Sequence, residues 1–159
     1  MTPEIKTLTE KKLTGRRLTM SLAANRTGEL WGAFMPRLKE IANRVSGELL
    51  SMAVYKPGHF ENFSPANEFE KWAAVEVSDF SKVPEGMEPF VLPGGLYAVF
   101  HYKGSSADPG IFQYIFGTWL PGSGYALDDR PHFEVLGDKY RNNDPESEED
   151  IWIPVKKKE

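Results

Sequence analysis

Cysteine is absent from the 159 residues, so no disulfide, Cys-based zinc site or thiol redox centre can be built, and nothing points to an oxidising compartment. Long hydrophobic runs are absent too. The stretch MTPEIKTLTEKK lacks the apolar core of a signal peptide, and nowhere does the chain approach the ~18 apolar residues of a membrane span. A soluble, cytoplasmic protein without membrane contact is expected. Positive charge is in deficit, 19 Lys and Arg against 23 Asp and Glu for a net charge of −4. That balance argues against affinity won by neutralising phosphates, so no direct nucleic-acid binding is expected. Lys156, Lys157 and Lys158 read as a solvated tail, and Arg37, Lys39 and Arg44 are spaced among acids. The three histidines, His59, His101 and His132, lack metal-ligand spacing and read as surface or strand residues; neither metal nor cofactor is expected. The glycines at Gly94–Gly95 and Gly122–Gly124 follow prolines and read as turns, and Ser123 in PGSGY lacks the nucleophile elbow of hydrolases.

Aromatic side chains, by contrast, are plentiful, at 13% with four tryptophans, which suggests a large core, a sticky pocket or both. The length fits one domain, 1–159, able to bury roughly 70% of its unfolded surface without a staple. Near the end of the chain, Phe133–Leu136 and Ile151–Val155 read as strands joined by a polar connection containing Asn142, Asn143, Asp144 and Pro145. With side chains alternating along each strand, Phe133 and Val135 are expected on one side with Ile151, Ile153 and Val155. Glu134 is then expected on the other side with Trp152. A ring beside a carboxylate is a cation trap; the same Glu134 is equally readable as a solvated strand residue.

Earlier in the chain, Leu18, Met20 and Leu22 alternate as in a strand, with Gly15 marking a bulge or exposed turn. Thr27 is a candidate cap for an amphipathic helix from Gly28 to Ser46, in which Pro36 opposes the Gly32 carbonyl at a cost of about 3 kcal/mol and predicts a kink. The kink aims Trp31 and Phe34 off the packing line, or both rings are simply core. Strands follow at Leu49–Tyr55 and Phe69–Val77, the latter with Trp72 and Glu76 on one face, then at Phe90–Leu92 and Leu96–Tyr102. Asp108 and Pro109 open a second helix that Pro121 should end near Leu120, and Gly122–Arg130 reads as a loop. The order strand, helix, strand, strand thus occurs twice, over about 11–78 and 88–156. The fold class expected is α+β, a duplicated βαββ unit with an antiparallel sheet and two helices framing a central groove. A Glu held among rings has a raised pKa suited to general acid or base work, or is held ionised by a bound cation; the residues alone leave both open.

The runs GGLYAVFHYKG and RPHFEVLGDKYRNNDPESEEDIWIPV, with LWGAFMPRLKEI, SMAVY and FEKWAAVEV in the first half, resemble the GyrI-like family, the AraC-type effector-binding domains. The resemblance covers nearly the whole chain and implies an acidic pocket residue at Glu134, with Trp31, Tyr55, Trp72 and Tyr114 as lining. Members of that family are often joined to a DNA-binding domain in transcription regulators, and some inhibit gyrase; this chain resembles a stand-alone member. The resemblance implies binding of small hydrophobic or cationic compounds, or, as in an enzymatic subgroup, hydrolysis of reactive cyclopropane-bearing molecules. In that reaction Glu134 would activate water and Tyr55 or Tyr114 would polarise an oxygen. A gyrase-inhibitor-like protein contact is a third, weaker implication.

Overall fold

The computed structural model describes residues 2–159. Nine strands and two helical segments follow one another among them: β1 (Glu4–Leu8), β2 (Lys11–Met20), α1 (Thr27–Phe34), β3 (Leu49–Val54), β4 (Phe69–Glu76), β5 (Glu88–Leu92), β6 (Gly95–Lys103), α2 (Gly110–Tyr114), β7 (Tyr125–Leu127), β8 (His132–Leu136) and β9 (Glu148–Lys157). The sheet order is β1-β6-β9-β8-β3-β4-β2-β5, with β7 added along β9, and every pairing is antiparallel. The α+β architecture read from the sequence is therefore present: β2-α1-β3-β4 and β6-α2-β8-β9 each form a strand, helix, strand, strand unit, and they meet at the β3–β8 seam.

The register is symmetric about that seam. Ser51 lies opposite Glu134, Met52 opposite Phe133 and Ala53 opposite His132. One strand outward, Trp72 pairs with Met52 and Trp152 with Phe133, so the two tryptophans hold matching places in the two units. The leading strands are exchanged: β1 pairs with β6 of the second unit and β5 with β2 of the first. The two crossing connections touch at Gly94, where an added Cβ would sit 2.6 Å from the Leu8 carbonyl oxygen, closer than any side chain tolerates.

Three apolar clusters use the two faces. On the face away from the helices, Leu13, Met52, Trp72, Tyr97 and Phe133 pack together, with Trp152 partly buried against them. On the other face α1 covers Met20, Ala73 and Val75 through Leu30 and Phe34, and the second helix covers Phe100, Ile151 and Ile153 through Ile111 and Ile115. Burying large side chains such as these stabilises by about 1.5–3 kcal/mol each.

Local chemistry corrects several expectations. Thr27 does not cap α1: it lies inside the helix, the N-cap position is Arg26 with no side-chain cap bond, and Asn25 Oδ1 accepts the Thr27 N–H at 2.9 Å and its hydroxyl at 2.7 Å. The helix does not run to Ser46: at Met35, one residue before Pro36, it tightens into a 3₁₀ segment, Met35–Glu40, and Ile41 is extended. A proline ring that collides with the carbonyl four residues back accounts for that change. The second helix ends at Gly122, two residues past Leu120, with Pro121 inside its last turn. The chain stays helical to Gly122 by widening into a π turn, Ile115–Trp119, in which the Leu120 N–H reaches the Ile115 carbonyl; the wider turn relieves the clash that Pro121 would bring and needs no N–H from it. Gly15 is neither bulge nor exposed turn. It is buried within β2, where a side chain would run into the Ala73 carbonyl and Ala74, so glycine permits the close approach of β2 to β4. β1 and β7 were not anticipated, because four of the five residues of β1 are exposed and β7 has only three.

Candidate functional site

Each helix covers its own unit and leaves the β3–β8 seam between them. There the helix-side residues of the central strands line a cavity of about 60 Å³, bounded by Ser51, Ala53 and Tyr55, by Lys71 on β4, by His132 and Glu134 on β8, by Ile151 and Ile153 on β9, and by Phe112 and Phe116 of the second helix. A water molecule occupies about 30 Å³ in the liquid, so the hollow is small as it stands. A ring from the connection between β3 and β4 packs against three of its walls. Phe60 stacks on Phe116 (5.6 Å, 18°) and on His132 (5.5 Å, 21°) and meets Tyr55 edge-on (4.8 Å, 68°). The connection is fastened behind this ring: the Asn67 side chain donates to the Asn62 carbonyl at 2.9 Å, and Ala23 N–H donates to the Pro65 carbonyl at 2.9 Å. Phe60 itself remains 38% exposed, so the plug is open to solvent on one side.

Charge in the seam is set by burial. Glu149, on β9 beside Ile151, is only 6% exposed and its Oε2 has no donor among the described residues. Desolvation foremost, then the charge of Glu134 and a hydrogen bond with it, raise the Glu149 carboxyl to about 8, with Lys71 opposing. Two acids that close cannot both ionise cheaply, so the pair holds a proton near neutral pH. His132 is pressed down to about 3 by burial, with help from His59 and Lys71, and is neutral. Burial, then the nearby Glu134, push the Tyr55 hydroxyl up to about 12, so it stays protonated. The seam therefore offers one acid pair, one lysine, neutral hydrogen-bonding groups and a stack of rings.

The structure brings Glu134, Tyr55 and Trp152 to this cavity, though Trp152 and Phe133 contribute only to its floor from strands whose rings pack on the far face. The expectation that Trp152 shares a side with Glu134 is corrected by register: Trp152 is opposite Phe133, stacked at 5.2 Å and 16°, while Glu134 is opposite Ile151. Trp72, 5% exposed, lies on the same far face. Trp31 and Phe34 pack with the α1 cluster, Phe34 fully buried and Trp31 edge-on to it at 5.8 Å, and Tyr114 packs with the second-helix cluster; none of these four lines the cavity. Sequence reasoning missed His132, Lys71, Phe112, Phe116, Phe60 and Glu149. For His132 a signal existed, since it lies two residues before Glu134 and must share its face. Both His132 and His59 are buried, not surface residues.

Comparison with known proteins bears on what such a seam holds. The transcriptional regulator BrlR of Pseudomonas aeruginosa is 35% identical over 132 residues, 80% of this chain and 46% of BrlR; the chain thus spans about half the length of that relative. Among solved structures, SAV2435 bound to tetraphenylphosphonium superposes with a TM-score of 0.73 at 15% identity, covering 98% of this chain and 94% of that one. The integron cassette protein of Vibrio cholerae superposes at 0.65 with 14% identity, covering 96% and 95%. No helix among the described residues is long and apolar enough to cross a membrane. The model of the integron-associated effector-binding protein family, Cass2, matches residues 4–155, and the chain belongs to that family, within the GyrI-like effector-binding domains.

Proposed function

We propose that the β3–β8 seam captures flat hydrophobic or cationic compounds, with Glu134 as the counter-charge and the rings of Phe112, Phe116, His132 and Tyr55 as walls. The observation that carries this reading is the seating of a carboxylate in the wall of an aromatic hollow left between two helices. The family is one of effector-binding proteins, and SAV2435, of the same fold, was solved with an aromatic cation. Ligand pockets commonly need about 300–1,000 Å³, so Phe60 must leave its stack. A planar ligand then takes the place against Phe116 and His132 that the Phe60 ring now holds. Titration of N-methylacridinium, a planar cation of permanent charge, into wild type and Glu134→Gln tests the assignment. Losing a charged partner worth about 1.5–3 kcal/mol weakens binding by about 10- to 100-fold; equal affinity for both proteins removes Glu134 from the site.

A second reading, hydrolysis in the same seam, is favoured by one observation: Tyr55, held protonated, and Glu134 share a wall. Glu134 would accept the proton of an attacking water while the Tyr55 hydroxyl hydrogen-bonds the oxygen that gains charge. Incubation with a cyclopropane-bearing electrophile and mass spectrometry separates the two. Product heavier by one water supports hydrolysis, and recovery of unchanged compound leaves capture alone.

A further inference from the structure

Capture of a cation at Glu134 raises a question of charge that the seam's own residues answer. Glu134 lines the cavity, but Glu149, which does not, lies on the neighbouring strand two residues before Ile151, the residue opposite Glu134, almost fully buried and with Oε2 lacking a donor among the described residues. That orphaned oxygen is explained if a proton of the Glu149 carboxyl lies between the two acids. The groups facing the pair can be counted. Lys71 approaches from β4; Tyr55 follows β3, Tyr102 pairs with Glu149 from β6, and Tyr140 approaches from the connection before β9, all of them neutral at pH 7. His132 on β8 is neutral, and so is His59 in the connection after β3, its pKa lowered by burial. Asp150, next along β9, is engaged by His101 Nδ1 at 2.8 Å. With one shared proton the pair carries a single negative charge, and Lys71 balances it. An incoming cation therefore meets a seam that is already neutral.

We propose that Glu149 is a positioning residue that makes cation capture a proton exchange: the cation enters as the proton shared with Glu134 leaves to solvent, and the seam stays neutral. This rests on the capture reading above and deepens it. Uncharged planar compounds enter without the exchange, so the seam sorts the two ligand classes by pH. The raised affinity of Glu149 for its proton puts the exchange near neutrality. Below that point each pH unit weakens cation binding by about tenfold, because the departing proton must be removed against its own binding equilibrium.

Calorimetric titration at pH 7 in phosphate, Hepes and Tris, whose ionisation enthalpies differ, counts the protons. N-methylacridinium and the uncharged acridone, which share a three-ring frame, are the two probes. The expected result is about one proton released per acridinium and none per acridone. In Glu149→Gln the release disappears and cation affinity no longer varies with pH. In Lys71→Met, where the singly charged pair has no internal partner, acridinium binds more tightly and also releases no proton. Tight acridinium binding by wild type with no proton released, or the same pH dependence for both probes, overturns the exchange and leaves capture standing. Binding of neither probe removes the capture reading and the exchange together.

Discussion

The two βαββ units share a framework but not a chemistry. Across the seam, Ser51 faces Glu134 and Ala53 faces His132. One strand outward, Ala73 pairs with Ser51 where Ile151 pairs with Glu134. Counting along each outer strand from the matched Trp72 and Trp152 sets Lys71 against Ile151 and Phe69 against Glu149. The first unit thus supplies the base and an apolar strand, whereas the second supplies both acids, the neutral imidazole and the two phenylalanines of the second helix. On the opposite face the likeness is kept, Trp72 on Met52 and Trp152 on Phe133. Packing tolerates few substitutions in a shared core, while a face turned toward a groove is free to specialise; the units are alike where they hold each other and differ where they line the groove.

The largest expected effect probes the preserved side. Trp72→Ala should cost about 3–5 kcal/mol of stability in urea unfolding, and Trp152→Ala less, because its ring is only partly buried. Equal losses would mean that the two units seal this face equally, against what the burial implies. Next comes pH, which sharpens the contrast between the units. Glu149 is raised from 4.5 to about 8, so its contribution is fully present below pH 4.5 and is lost as pH rises through 8. His132 is lowered from 6.5 to about 3, so its contribution is present above pH 6.5 and is lost as pH falls through 3. Between pH 4.5 and 6.5 the two slopes cancel. On these two groups stability has a plateau there, falling on either side by about 1.4 kcal/mol per unit at most. Glu149→Val, which removes the buried carboxyl, should flatten the alkaline limb in thermal melts and extend the acid limb of His132 up to pH 6.5. The smallest effect concerns the plug. Phe60→Ala should raise the affinity for N-methylacridinium by about three- to tenfold, since the competent open form is no longer a minor one. Because the ring is partly exposed, the change in stability should stay within about 1 kcal/mol, as stopped-flow binding and urea unfolding together will read.

Much of this was legible in the residues. Period-two alternation gave the central strands, and the repeated order of elements gave the two units. What alternation cannot give is the offset between β8 and β9 across the Gly137–Ser147 connection: a shift of one residue turns every side chain to the other face, and Trp152 was paired with the wrong neighbour for that reason. Glu149 was hidden in the acidic run ESEED, which reads as solvated connection; its burial beside Tyr102 and Glu134 is a tertiary fact. The docking of Phe60 is likewise invisible in a segment without periodicity, because nothing local distinguishes a ring that plugs a seam from one left in water.

The exchanged leading strands carry a further consequence. A fragment stopping after Val77 would keep β2, α1, β3 and β4, yet β1 would have no β6 to lie along and β2 no β5. Two such fragments could each lend the other the missing arm. The smallest self-sufficient form of this architecture is therefore a mutual clasp, and in the present protein one continuous polypeptide shakes hands with itself.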